Sequence, residues 1–229
     1  MRLQDVLFEQ GFGTRYDCAD IVTKGGVTIA GEVHDDPLED VDVEGLEFGC
    51  IGKVWPYREK AVIALNKPAG YECSMKPSAH PSVMTLLPSP LRRRNVQPVG
   101  RLDVDTTGLL IMTDDGQLQH RLIHPKRHVA KVYEVTCRHP VTEAMREKLL
   151  SGVVLDDDPK PVAAKAVEII DEHHIRMTLV QGKYHQVKRM IAACSNRCDG
   201  LHRSGFGAFT LPDTLEPGEW MWIRREDIV

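Results

Sequence analysis

An α+β fold in two modules is what this 229-residue sequence predicts, the fold class from its strand pattern and the modules from its charge. Strand-like segments outnumber helical ones, and they come in runs instead of alternating with helices. Charge is divided unevenly. Residues 1–48 hold three bases against twelve acids, a net −9, whereas residues 49–229 hold twenty-six bases against twenty-one acids, a net +5. Such asymmetry points to two modules with different partners. The expected boundaries are 1–48 for the first module, 49–59 for a linker containing Gly52, Trp55 and Pro56, and 60–229 for the second.

The composition, 42% hydrophobic and 27% charged, is that of an ordinary soluble chain and excludes wholesale disorder. A chain of this length should bury roughly 70% of its unfolded surface, so it needs no disulfide or metal to fold. Six scattered cysteines and an N-terminus without a long apolar stretch predict a protein of the reducing cytoplasm. The longest apolar runs, 61–65 and 109–112, are far too short to cross a membrane.

In the first module, 5–10 and 17–23 read as short helices, each followed by glycine, and Val27, Ile29 and Val33 alternate as a half-buried strand does. The second module opens with a strand at 61–65 and the turn Asn66-Lys67-Pro68-Ala69-Gly70. A proline-rich loop leads to the run Arg92-Arg93-Arg94, and 109–113 is a buried strand. Asp114-Asp115-Gly116 turns into a helix ending at Pro125, and 131–138 is a strand. Thr142 caps a helix over 143–150 that Gly152 stops. Segments 163–170 and 174–179 are strands, and Val187, Met190, Ile191 and Cys194 form one apolar helix face.

The densest cluster of chemical groups is Gly100-Arg101-Leu102-Asp103-Val104-Asp105-Thr106-Thr107-Gly108. Asp and Thr here can be plain turn formers. An Arg two residues before Asp103 favours instead an ionised, positioned carboxylate, competent as nucleophile or base. The second cluster, Gly182-Lys183-Tyr184-His185-Gln186-Val187-Lys188-Arg189-Met190, is either a solvated basic face or a counter-charge for a phosphate or a buried acid. Tyr133 is either strand core or a flat face for a nucleobase. A metal site is not expected: Pro125 interrupts the helix of His120 and His124 before His128, and Cys194 and Cys198 lack zinc-ligand spacing. The chain also lacks phosphate-loop and dinucleotide fingerprints.

Taken in order, 100–110, Lys131-Val132-Tyr133 and 182–190 resemble the three motifs of the RNA pseudouridine synthases. Asn66 to Gly70 and Leu201-His202-Arg203 fall where that family has its flanking motifs. Tyr71-Glu72-Cys73-Ser74, His80-Pro81-Ser82-Val83 and Tyr184 to Met190 resemble, within that family, the type that modifies RNA of the small ribosomal particle. The likeness spans about residues 60–225, and the first module resembles an S4 RNA-binding domain, although its −9 charge departs from that pattern.

The resemblance implies a mixed, mainly antiparallel catalytic domain with a central cleft. It implies isomerisation of a flipped-out uridine within RNA, with no cofactor and no metal. Asp103 would act on the sugar, Tyr133 would stack on the base and move a proton, and Lys188 would hold Asp103 ionised. Arg101 would open and position the nucleotide. Asn66, Lys67, Lys183, His185, Gln186, Arg189 and Arg203 would bind substrate, and Arg2, Arg15 and Lys24 would bind RNA from the first module. The implied partner is 16S ribosomal RNA, within an assembling small subunit, met by a monomer in the cytoplasm. Three other readings compete. They are the same chemistry on 23S RNA, a phosphatase of the haloacid dehalogenase type reading Asp103-Val104-Asp105-Thr106-Thr107 as D-x-D-x-T, and a non-catalytic ribosome-assembly factor.

Overall fold

A computed structural model describes the backbone of residues 1–229 and every side chain except that of Asp158. The chain forms two compact units. One comprises 1–61 and 87–97, and the other 62–86 and 98–229.

The first unit contains helices α1 (Leu3–Glu9) and α2 (Arg15–Thr23) and strands β1 (Val27–Ile29), β2 (Glu32–Val33), β3 (Glu47–Cys50) and β4 (Lys53–Pro56). Helix α2 starts where the sequence gives it a reason to. Thr14 accepts from the Asp17 amide while the Asp17 carboxylate accepts from the Thr14 amide, satisfying two otherwise orphaned donors. The strands form an antiparallel sheet in the order β2-β1-β3-β4. Val27, Ile29 and Val33 do not share one strand: Ala30 and Gly31, both at positive φ, turn β1 back into β2. The core is apolar: Leu3, Val6, Leu7, Val22 and Val27 are buried, as is Phe12, whose ring meets Phe48 and Trp55 edge-on at 5.6 and 5.4 Å. Residues 49–59, read from the sequence as a linker, contribute to the β3–β4 hairpin of this sheet, and Trp55 packs inward because it alternates with exposed Val54.

Helix α3 (Ser89–Arg93) belongs to the same unit. Its Leu91 is 1% exposed. Gly11, at φ +86°, passes so near that a Cβ there would meet the Pro90 carbonyl at 2.2 Å. Arg94 donates to the Gln10 side chain at 2.7 Å and to the Glu59 carbonyl at 3.0 Å. The arginine run is therefore part of the first unit, where the sequence placed it with the second. The first unit thus has nine bases against thirteen acids, and the second has twenty of each.

After the two-residue strand β6 (Gln97–Pro98), the second unit is built on one twisted sheet. Its strands are β5 (Val62–Lys67), β7 (Thr107–Thr113), β8 (Lys131–Cys137), β11 (Ala166–Ile169), β12 (His174–Leu179), β13 (Cys198–Phe206) and β15 (Trp220–Trp222). They lie in the order β11-β12-β8-β13-β7-β5-β15, and β14 (Phe209–Thr210) pairs with β13. Only β13 and β7 run parallel in that order. A separate hairpin joins β9 (Val153–Leu155) to β10 (Asp158–Val162). Helices α5 (Glu143–Ser151) and α6 (Gln186–Ala193) cover the half around β8 and β12, burying Met145, Leu149, Met190 and Ile191 against Val135, Ile175 and Met177. Helix α4 (Gly116–Ile123) covers the other half, burying Leu118 and Leu122 against Val62, Leu109 and Ile111. Two cores on one sheet leave a cleft between their helices, the arrangement expected of an α+β domain. Strand β13, unread from the sequence, is central. Its apolar pattern is broken by Asp199, Gly200, Arg203 and Gly205. Among the described residues no helix is long and apolar enough to cross a membrane.

Candidate active site

The loop 101–106 enters the cleft just before β7. Its shape is imposed from below by Lys67, the last residue of β5, which is 0% exposed. The Lys67 ammonium donates to the carbonyls of Pro68, Asp103, Val104 and Thr106 at 2.8–3.2 Å. All four acceptors are neutral carbonyls, and burial pushes the Lys67 pKa down. Gly70 adds an amide to the Val104 carbonyl at 2.8 Å, and Thr106 closes the turn onto the Asp103 carbonyl at 3.1 Å. Lys67 is thus not a substrate ligand, as expected from its motif, but the staple of the loop that carries Asp103.

On the far side, β7 and β13 approach so closely that a Cβ on Gly108, at φ +100°, would lie 2.3 Å from the Arg203 carbonyl. The Thr107 hydroxyl and the His202 ring meet at 2.8 Å.

The Asp103 carboxylate is about 30% exposed and has two partners from the start of α6. Lys188 donates to one oxygen at 3.1 Å, and His185 Nε2 lies 3.2 Å from the other. Lys188 also donates to Asp105 at 2.7 Å. Burial alone would lower the Lys188 pKa, but its hydrogen bonds to Asp105 and Asp103 outweigh this and raise it. The same bond holds the Asp105 carboxyl below its usual range. Lys188 reaches Asp103 because α6 begins at Gln186, so the third residue of its first turn faces the loop. His185 precedes that turn in the left-handed region, at φ 48°, and its ring stacks on Tyr184 at 3.7 Å.

Asp103, Arg101, Tyr133, Lys183 and His185 all line a cleft of about 780 Å³. Tyr133 stands on β8 directly opposite Arg203 on β13. The structure therefore brings together Asp103, Lys188, His185, Tyr133, Arg101, Lys183 and Arg203. It places others differently. Asn66 donates to the Leu215 carbonyl at 2.7 Å and lines a groove with Val132 and Glu134, whose side chains point away from that of Tyr133 by strand alternation. Gln186 is 5% exposed and shares a small pocket with Asp103, Tyr133 and Lys188, but its side chain also accepts from the Lys183 amide at 2.8 Å and donates to the Met190 sulfur, so it shapes the loop. Arg189 pairs with Asp157 and donates to the Tyr184 carbonyl at 3.1 Å, bracing that loop from outside. Lys131, quoted in the tyrosine motif but assigned no task from sequence, also faces the cleft.

In the first unit, Arg15 pairs with Asp5 and lies over the Phe8 ring at 4.4 Å, and Lys24 pairs with Asp20 at 2.6 Å. Both charges are answered locally, while Arg2 is exposed. Among the described residues, no group of three His, Cys, Asp or Glu is placed to hold a metal ion.

Comparison with known proteins places the chain in a family. The RNA pseudouridylate synthase family model matches residues 61–193, and the S4 domain model matches residues 1–45. The ribosomal small subunit pseudouridine synthase A of Yersinia pestis is 42% identical over 208 residues, which cover 91% of this chain and 86% of that protein. The protein of the same name from Pasteurella multocida is 35% identical over 229 residues, 100% of this chain and 98% of that one. A crystal structure described as a pseudouridylate synthase superposes with a TM-score of 0.70 at 34% identity, covering 100% of this chain and 98% of the other.

Proposed function

This chain belongs to the RNA pseudouridylate synthase family, and from that premise we propose that it converts a specific uridine of 16S ribosomal RNA to pseudouridine, with Asp103 as the catalytic carboxylate. The observation that carries the proposal is the position of Asp103, held by Lys188 at 3.1 Å and faced by His185 at 3.2 Å in a cleft shared with Tyr133. The names of the relatives support the choice of small-subunit RNA.

The target uridine is flipped out of its helix, which costs a few kcal/mol. Its base stacks on Tyr133, and Arg101, exposed at the mouth of the cleft, fills or guards the position it leaves. Asp103, paired with the Lys188 ammonium, acts on the ribose, as nucleophile at C1′ or as base at C2′. The glycosidic bond from N1 to C1′ breaks, the freed base turns, and a bond from C5 to C1′ forms. As that bond forms, the Asp103–C1′ bond breaks or the C2′ proton is returned, and the proton lost from C5 passes by way of the Tyr133 hydroxyl to N1. The reaction is redox-neutral, and its atoms balance within the nucleotide. Lys188 lies between the two carboxylates of the D-x-D-x-T segment, where a phosphatase would need its magnesium, and that segment precedes β7 instead of following a strand.

Mapping pseudouridine by carbodiimide labelling after incubation with 16S and 23S transcripts and with partly assembled subunits tests the proposal. One new stop in 16S RNA, absent with Asp103→Ala, is expected. A stop confined to 23S RNA would overturn the substrate, and a stop that survives in Asp103→Ala would overturn the role of the carboxylate.

A further inference from the structure

Lys131 and Arg203 form a cationic cluster in the cleft, and among the described residues neither is paired with Asp103. Arg203 is 2% exposed, yet it lines the cleft wall. Its Nε donates to the Leu109 carbonyl at 2.8 Å, and its Nη2 has no hydrogen-bond partner. Lys131 lies on the same face of β8 as Tyr133, two residues before it. Its ammonium donates to the Val129 carbonyl at 3.2 Å. Both cations sit against one ring, the Lys131 nitrogen 5.5 Å and the Arg203 guanidinium carbon 5.3 Å from the centre of Phe206.

Neither cation has a carboxylate partner among the described residues. Among the described residues Asp103 is the one carboxylate on the cleft wall, and it is already engaged by Lys188 and His185. Burial, with Arg203 adding to it, pushes the Lys131 pKa down to about 8, as befits a cation beside a second uncompensated one. A guanidinium cannot relieve this by losing its proton. What both groups lack is an anion with several acceptor oxygens.

We infer that Lys131 and Arg203 form a built anion site for a phosphate group of the bound RNA strand, next to the nucleotide whose base meets Tyr133. The inference rests on the reading of the chain as an RNA pseudouridine synthase, and it assigns to Lys131 a substrate contact that anchors the strand without touching the reacting atoms. A phosphate here fixes the ribose at a set distance from Asp103, because Arg203 and Tyr133 are direct neighbours across β8 and β13.

Two measurements on the full chain test it. In the first, binding of an unmodified 16S transcript is followed against salt concentration. Lys131→Gln should flatten the slope of log affinity on log salt by about 1, and Lys131→Arg, which keeps the charge, should restore it. In the second, acetylation of Lys131 by an amine-reactive ester at pH 8 is read by mass spectrometry. Uridine 5′-monophosphate or uridine 3′-monophosphate should slow it at least fivefold, and uridine should not; the more protective isomer identifies which flanking phosphate is held. An unchanged salt slope in Lys131→Gln, or equal protection by uridine and both monophosphates, overturns the inference. Pseudouridine formation by the unaltered protein is scored on the same transcript. A transcript bound with the Lys131-dependent slope but left unmodified sinks the enzymatic reading alone. A modified transcript without that slope sinks the anion site alone.

Discussion

Lys188 is a shared cation, 2.7 Å from Asp105 and 3.1 Å from Asp103, so what one carboxylate holds the other forgoes. Asp105 is 73% exposed, and an exposed pair contributes at most about 1 kcal/mol. Asp105→Asn should therefore leave the single-turnover rate within about fivefold, with Lys188 transferred to Asp103. Lys188→Met leaves Asp103 without its ammonium and should lower that rate on the order of 10²-fold. A rate for Lys188→Met near that of the unaltered protein would remove Lys188 from the mechanism. Asp103 and Lys188 were legible as separate motifs, and their meeting required only that α6 begin near Gln186. The task of Lys67 was not legible. A lysine beside Asn66 and Pro68 looks like a ligand for substrate, because lysines are seldom buried, and nothing in the sequence says that four carbonyls converge on it. Gln186 and Arg189 mislead in the same way: each has the chemistry of an RNA contact and spends it on the loop at 182–185.

Strand β12 and helix α5 were read correctly, whereas the alternation of Val27, Ile29 and Val33 spans the turn between β1 and β2. Strand β12 and helix α5 follow from alternation and from Thr142 and Gly152, and the structure shows both caps, with Thr142 accepting from the Met145 amide. Strand β13 and the β3–β4 hairpin were missed because glycines and charges interrupt their patterns, and only neighbouring strands make those segments extended. The parallel contact of β13 with β7 depends on Gly108. Gly108→Ala would place a Cβ against backbone at a φ that alanine resists, so a loss of about 2–4 kcal/mol in denaturant unfolding is expected. An unfolding midpoint unchanged by that substitution would contradict the close approach.

The loop at 72–82 offers a pH test. The Glu72 carboxylate accepts from the amides of Ala79, His80 and Ser78, and these bonds lower its pKa to about 2. A depressed carboxyl pKa gives order that is full above the ordinary value near 4.5 and is lost as pH falls toward 2. The protection of the amides at 78–80, taken against the exchange rate of an unstructured amide at the same pH, should stay high at pH 5 and fall as the pH approaches 2. In Glu72→Gln it should already be low at pH 7, and equal protection in the two proteins at pH 7 would refute the assignment.

For the molecule as a whole, charge matters by location. The second unit holds equal numbers of acids and bases, yet its cleft wall carries Arg101, Lys126, Lys131, Lys183 and Arg203 against Asp103 alone. In the first unit, Arg15 and Lys24 already have acidic partners, so Arg15→Gln and Lys24→Gln should each change RNA affinity less than about twofold. A tenfold loss from either would show that the pair opens on RNA. The first unit is also discontinuous in sequence: Leu91 and Arg94 complete it from thirty residues beyond Ala61. This has a consequence at the moment of synthesis. The amino-terminal unit cannot finish folding when its own sheet has left the ribosome. It must wait for about 40 more residues, roughly 2–8 s of translation, during which the surface that Leu91 will cover stands open to whatever binds nascent chains.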